Sequence, residues 1–229
     1  MKNLNIFSLI SEYDSAKSGG VLNKPNVSFV DEDSSVRYLI DLTHNGYEYV
    51  DLGLPSGLKW ATCNVGATSP EQTGLYFAWG ETEGYTAEQV TLGVRAFDEA
   101  SYTASAISGN LTLEQDAAHV NLGGNWRMPT SAEYRELLDN CNVVWTDDYN
   151  GTGVKGRIFS SRVNGNSVFF PATGGCGNSS VGDVGVYGNY WATGWYSSYN
   201  AWGLYFGAGR QYVGYTQRYI GHSVRGVCE

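Results

Sequence analysis

The sequence predicts an α+β protein of short, mostly antiparallel strands, two helices and long loops. Thirty of its 229 residues are glycine, and helix-favouring runs are few. That balance favours strands and turns over helix. Short apolar runs bounded by Gly or Asn recur through the second half, as a meander of strands requires. Thr130-Ser131-Ala132-Glu133 has the form of a capping box, with Pro129 ahead of it and Tyr134, Leu137, Leu138 and Cys141 behind it. This is the clearest helix start in the chain.

The elements follow in order. Residues 4–17 place Leu4, Ile6, Phe7, Leu9, Ile10 and Tyr13 on roughly one helical face, and Lys17-Ser18-Gly19-Gly20 ends the run. Residues 27–30 and 36–40 read as two strands around the polar turn Asp31-Glu32-Asp33-Ser34-Ser35. Residues 1–46 are therefore expected to form a helix-plus-hairpin module for attachment or oligomerisation, ahead of a domain spanning 47–229. In that domain, two short strands flank the turn Pro55-Ser56-Gly57. Ser69-Pro70-Glu71-Gln72 reads as a helix start, and Tyr76-Phe77-Ala78-Trp79-Gly80 as a buried strand. Residues 81–120 are polar and poorly periodic, and are expected to be a surface excursion. The runs 156–160, 167–170, 202–206, 211–215 and 222–228 are expected strands.

Composition narrows the function. The chain is 42% hydrophobic and 16% charged, with a net charge of −9. Such a chain repels phosphate backbones, so nucleic acid is not an expected partner. No run of ~18 apolar residues exists, so membrane insertion is not expected either. The N-terminal stretch has one lysine and a broken apolar run, a poor secretory signal. Cys63, Cys141, Cys176 and Cys228 show no C-x-x-C spacing, and there are only three histidines. No metal site or cofactor is expected, and the cysteines are expected to be mostly buried thiols.

The segment from Gly185 to Gly221 is the most unusual part. It holds twelve aromatics and eight glycines, and its only charges are Arg210 and Arg218. Tyr, Trp, Ser, Gly, Asn and an occasional Arg form the palette of an antibody paratope. Candidate ligand-binding residues are Thr193, Trp195, Tyr196, Ser198, Tyr199, Trp202, Tyr205, Arg210, Tyr212, Tyr215, Gln217 and Tyr219. Leu204 and Phe206 are expected to face inward from a sheet with one buried face. Arg218 and Arg225 are expected to pair within the fold.

The string from Val50 to Ala67, VDLGLPSGLKWATCNVGA, carries a family resemblance, together with Phe77-Ala78-Trp79-Gly80-Glu81, Trp126-Arg127-Met128-Pro129-Thr130, Glu133–Leu138 and Gly221-His222-Ser223-Val224-Arg225. These residues resemble the Fibrobacter succinogenes major paralogous domain of Bacteroidetes and their phages. The resemblance implies a C-type lectin-like fold over residues 47–229, in the branch shared with formylglycine-generating enzymes. With Tyr190-Trp191, Ala201, Leu204, Phe206 and Arg218 in framework positions, the chain resembles the variable proteins of diversity-generating retroelements. It then has a variable region at about 187–220, and Tyr190, Trp191 and Phe206 belong to the core. Trp195, Trp202, Gln211 and Gln217 do not derive from an adenine-mutated Asn codon, a departure from the strict pattern.

The resemblance implies a non-enzymatic receptor-binding protein. Its partner is a protein or glycan on a target cell surface, and it sits on a phage virion or at a cell surface. Two alternatives stand beside it. One is an invariant surface adhesin or structural protein of the same fold. The other is a formylglycine-generating-type enzyme, for which Cys176 and Cys228 are the nearest candidates, without the family's flanking sequence. The calcium-lectin strings Glu-Pro-Asn, Gln-Pro-Asp and Trp-Asn-Asp do not occur, and Asp147-Asp148 and Asp183 offer only weak spacing for a calcium ion.

Overall fold

In a computed structural model of the chain, the backbone of residues 27–30 and 36–39 and the whole of 42–229 are described. The expected helix over 4–17 lies outside these residues. The chain divides into two compact units, Met1–Asp41 and Leu42–Glu229. In the first, Val27–Val30 (β1) and Val36–Leu39 (β2) pair antiparallel, with Val27 opposite Leu39 and Val30 opposite Val36.

The second unit begins five residues before the expected boundary. Thr43–His44 (β3) turns back through Asn45 and Gly46, both at positive φ (49° and 81°), into Tyr47–Asp51 (β4). Asn-Gly is the pair that tolerates this tight hairpin turn. The indole of Trp126 donates to the His44 carbonyl at 2.8 Å, which ties the hairpin to the domain. Lys59–Asn64 (β5) pairs with β4, and the C-terminal strand Arg225–Cys228 (β14) pairs with β5, giving the order β14-β5-β4-β3. First and last strands of the domain thus lie in one sheet.

Three short helices follow among the described residues, where two were expected: Ala87–Thr91 (α1), Ala117–Leu122 (α2) and Ser131–Asn140 (α3). The Thr130 side chain accepts from the Glu133 amide at 3.2 Å, and Glu133 accepts from the Thr130 amide at 2.7 Å. The capping box is reciprocal, as the sequence indicates. The helix expected at Ser69 is instead a turn. Gly74 follows at φ 73°, and a Cβ there would collide with the Val65 carbonyl oxygen, so the chain must fold back at once. Residues 81–120 are not all surface either. Val90, Phe97, Ala117 and Ala118 are buried, and Asp116 accepts from the amides of Ala118, His119 and Met128. Poor periodicity reflects anchoring by single residues.

Cys141–Thr146 (β6), Gly156–Ser161 (β7) and Ser167–Pro171 (β8) form one antiparallel sheet, and Gly175–Gly177 (β9) pairs with Ser180–Gly182 (β10). Gly188–Trp195 (β11), Asn200–Phe206 (β12) and Gln211–Gln217 (β13) form another. The architecture is mixed α+β with few helices and mostly antiparallel strands. Trp60, Trp79, Trp126 and Trp191 are fully buried. Such rings bury roughly 150–250 Å² each and dominate a core.

The β11–β12–β13 sheet is not buried on one face only. Tyr190 of β11 joins Leu204 and Phe206 of β12 in a cluster with Phe159 and Phe170. Its neighbour Trp191 joins Ala201 in a second cluster with Phe77, Trp79 and Trp126. Alternate residues of a strand point to opposite faces, so β11 is buried on both. The exposure of this sheet comes from the edge strand β13 and from the turns.

Candidate binding surface

Strand register sorts the twelve candidate residues. Trp202 pairs with Tyr215, Leu204 with Val213 and Tyr205 with Tyr212. Trp202, Leu204, Tyr215 and Val213 share one face, and Tyr205 and Tyr212 share the other. The candidates therefore form two groups.

The first group gathers at the β11–β12 turn. The Tyr196 and Tyr215 rings stack with centroids 3.8 Å apart and planes at 9°. Trp202 meets both edge-on, at 5.1 and 5.9 Å. Its ring lies over Gly194, where a Cβ would come within 2.9 Å. Trp195, Tyr196, Tyr199 and Tyr215 are exposed, Tyr199 most of all at 69%. Ser198 and Gln217 are exposed beside them, Trp202 and Thr193 half-buried.

A bulge sets this group. Trp191 pairs with Gly203 and Trp195 with Ala201, so three β11 residues oppose Trp202 alone. The bulged backbone is held elsewhere: the Thr193 amide donates to the Pro129 carbonyl, and the Thr193 carbonyl accepts from the Leu111 amide. Bulges of this kind bend a strand and re-aim its side chains. Trp195 emerges with its amide bound to the Asn110 side chain at 3.0 Å.

The second group lies on the opposite face, three residues along the strands. Tyr212 and Arg210 are exposed, with the Arg210 guanidinium 5.1 Å over the Tyr212 ring. Tyr205 stacks on Tyr212 at 5.5 Å but is half-buried. Its hydroxyl is enclosed and has no hydrogen-bond partner. Burial raises its pKa far above the ordinary tyrosine value. Tyr205 therefore offers less to a partner than the sequence suggests. Tyr219 is half-buried in the turn before β14.

Three buried arginines bind main chain, two of them, Arg218 and Arg157, at the turns of this surface. Arg218, 1% exposed, donates to the carbonyls of Ala104, Ile107 and Ser198 and to the Tyr102 hydroxyl, and lies 4.8 Å over the Trp79 ring. Arg157 donates to the carbonyls of Gly207, Ala208 and Val143. Arg225 donates to Asn64 and to the carbonyls of Ala61, Thr62 and Phe169. These partners are all neutral oxygens. Burial costs a cation heavily unless its donors are satisfied, and here loop and strand carbonyls satisfy them.

The sequence does not reveal two scaffold residues at this surface. Arg135 of α3 lies 5.1 Å over the Trp202 ring, and the Asn110 side chain holds Trp195. Arg135 reads in the sequence as an ordinary exposed helix charge, and only the docking of α3 on β12 gives it a neighbour.

Cys176 and Cys228 are buried free thiols. Burial pushes them up to about 12 and about 11, the reverse of what a thiolate nucleophile needs. Asp147 is engaged by the Trp145 indole at 3.0 Å and by Lys155 at 3.3 Å. Among the described residues, no group of three or more His, Cys, Asp or Glu is placed to hold a metal ion, and no helix is long and apolar enough to cross a membrane. No family model, no curated protein and no solved structure matches the chain, so its family resemblance rests on the residues that carry it.

Proposed function

We propose that this is a non-enzymatic binding protein of C-type lectin-like fold, whose segment 187–220 presents a rewritable aromatic surface to a protein or glycan on a target cell. The observation that carries the reading is the main-chain anchoring of that segment. Its turns are held through carbonyls and amides: Ser198 by Arg218, Gly207 and Ala208 by Arg157, Thr193 by Pro129 and Leu111. Backbone groups are the same whichever side chain a codon specifies. Side chains at 195, 196, 198, 199, 215 and 217 then vary while the scaffold stays put. Surface substitutions of this kind change stability by roughly ±0.5 kcal/mol, and somewhat more at the stacked pair Tyr196 and Tyr215.

The rings support the same reading. Six of the segment's twelve aromatics are exposed: Tyr187, Trp195, Tyr196, Tyr199, Tyr212 and Tyr215. The three assigned to the framework, Tyr190, Trp191 and Phe206, are buried. Exposed Tyr and Trp supply contact area at low entropic cost. On this reading the protein serves attachment, from a phage tail or a cell surface.

A display library randomised at 195, 196, 198, 199, 215 and 217 tests it. Most members are expected to fold. Widespread unfolding would assign these side chains to the core and end the proposal. At the gene, the reading expects a neighbouring reverse transcriptase and a near-copy of the C-terminal coding segment that differs at adenines.

A further inference from the structure

A groove of about 530 Å³ lies at the end of the β11–β12–β13 sheet away from the Tyr196 cluster. Its size is within the roughly 300–1,000 Å³ of small-molecule sites. Two aromatic residues line it: Trp145 from β6, and Tyr187 just ahead of β11. Gly207 forms part of its wall, and a Cβ there would come within 2.9 Å of the Tyr187 ring. That glycine is held from behind by the buried Arg157, through its carbonyl at 2.7 Å. The wall is therefore preorganised, and a ligand need not order it.

Among the described residues, the charges at the groove leave one cation unpaired, Arg210. Lys155, Arg210 and Asp147 contribute two cations and one anion to a protein of net charge −9. Asp147 is occupied by Lys155 and by the Trp145 indole. Among the described residues, no hydrogen bond or ion pair engages the Arg210 guanidinium, which rests on the Tyr212 ring. A planar fork of donors on an exposed rim suits a carboxylate. Aromatic walls beside it suit the C–H face of a pyranose ring, and Asp147 and Lys155 suit its hydroxyls.

We propose that this groove binds a carboxylate-bearing sugar of an extended glycan, with its ring against Trp145 and Tyr187 and its carboxylate on Arg210. Three of the groove's key groups, Trp145, Asp147 and Lys155, lie outside the aromatic segment. Tyr187 and Arg210 lie within it, so the carboxylate preference belongs to this particular sequence of the segment.

Titration calorimetry on the full chain tests this with trigalacturonate, 3′-sialyllactose and lactose. At least one carboxylated probe is expected to bind, about tenfold or more tighter than lactose, and to weaken with added salt. Arg210→Gln and Lys155→Gln, both on the exposed rim, should each lower that affinity. Tyr199→Ala and Tyr215→Ala, at the other end of the sheet, should leave it unchanged. The assignment is overturned if neither carboxylated probe binds at millimolar concentration, or if lactose binds equally well. It is also overturned if Arg210→Gln has no effect, or if the Tyr199 and Tyr215 variants abolish binding. Because the library positions lie on the other surface, failure of the groove to bind these sugars would leave the outcome of the library experiment unaffected.

Discussion

Arg218 reaches back 20 residues to the main-chain carbonyl of Ser198, with Nη1 3.0 Å from the oxygen. One guanidinium joins the most exposed turn of the candidate surface to the loop at Ala104–Ile107. The surface is carried by a residue that is itself buried.

Arg218→Met should therefore cost on the order of 3 kcal/mol, since it strands several buried carbonyls that a charged donor now satisfies. Ser198→Ala should change stability by no more than roughly 0.5 kcal/mol, because its side chain takes no part. Urea denaturation of both variants measures the contrast. A Ser198→Ala loss as large as that of Arg218→Met would show that the side chain, rather than the carbonyl, is the anchor.

The aromatic cluster predicts a graded response. Trp195→Ala and Tyr199→Ala should leave the thermal midpoint nearly unmoved, since both rings project from the surface. Tyr215→Ala should cost more, because its ring stacks on Tyr196 at 3.8 Å. Stacked pairs contribute about 0.5–1.5 kcal/mol beyond their buried area. A double-mutant cycle on Tyr196 and Tyr215 should return a coupling in that range. A coupling of zero would mean that the two rings do not hold one another in solution.

What the sequence revealed here, and what it concealed, follows the range of the interactions. Thr130 and Glu133 satisfy each other's amides within one turn, so the start of α3 was legible. The strands around Leu204 and Val213 were legible because Gly and Asn punctuate them. The buried state of Tyr190, Trp191 and Phe206 came from the framework resemblance, beside glycines such as Gly188, where a Cβ would strike the Phe206 ring. The split of the surface into two groups was hidden. It depends on the register that sets Trp202 against Tyr215 and Tyr205 against Tyr212, and register is a pairing between strands. The turn at Ser69 misled for a similar reason: a local helix start was overruled by the close approach of Gly74 to Val65. Arg135 gained its place over Trp202 only through tertiary packing.

Tyr205 supports a third prediction. Its hydroxyl is buried without a partner, while its ring packs on Tyr212 and against His222 at 5.7 Å. Tyr205→Phe keeps the ring and removes the enclosed polar atom. An unsatisfied buried hydroxyl costs about 1–3 kcal/mol, so the variant should be as stable as the parent or more so. A thermal midpoint clearly below the parent's would indicate that the hydroxyl has a partner, contrary to this geometry.

His222 contributes to the pH response. Its ring is fully buried, 4.4 Å from Trp191 and 5.7 Å from Tyr205, with Nδ1 3.1 Å from the Gly221 carbonyl. Burial depresses its pKa from 6.5 to about 3, against a smaller upward pull from that carbonyl. The unfolded chain therefore takes up this proton below about pH 6.5, while the folded chain refuses it until near pH 3. Its contribution is complete above the unfolded value and declines as pH falls through that window, by up to about 1.4 kcal/mol per pH unit. At pH 5.5 the thermal midpoint should lie about 3–5 °C below its value at pH 7.5 from this group alone. At Glu133 burial pulls the pKa up, but the bonds from Arg127 and Thr130 outweigh it and leave it lowered, so its contribution is lost only at more acid pH. His222→Gln should flatten the slope even if it lowers stability overall. An unchanged slope in that variant would move the effect to another group and leave the buried imidazole without a role in the acid response.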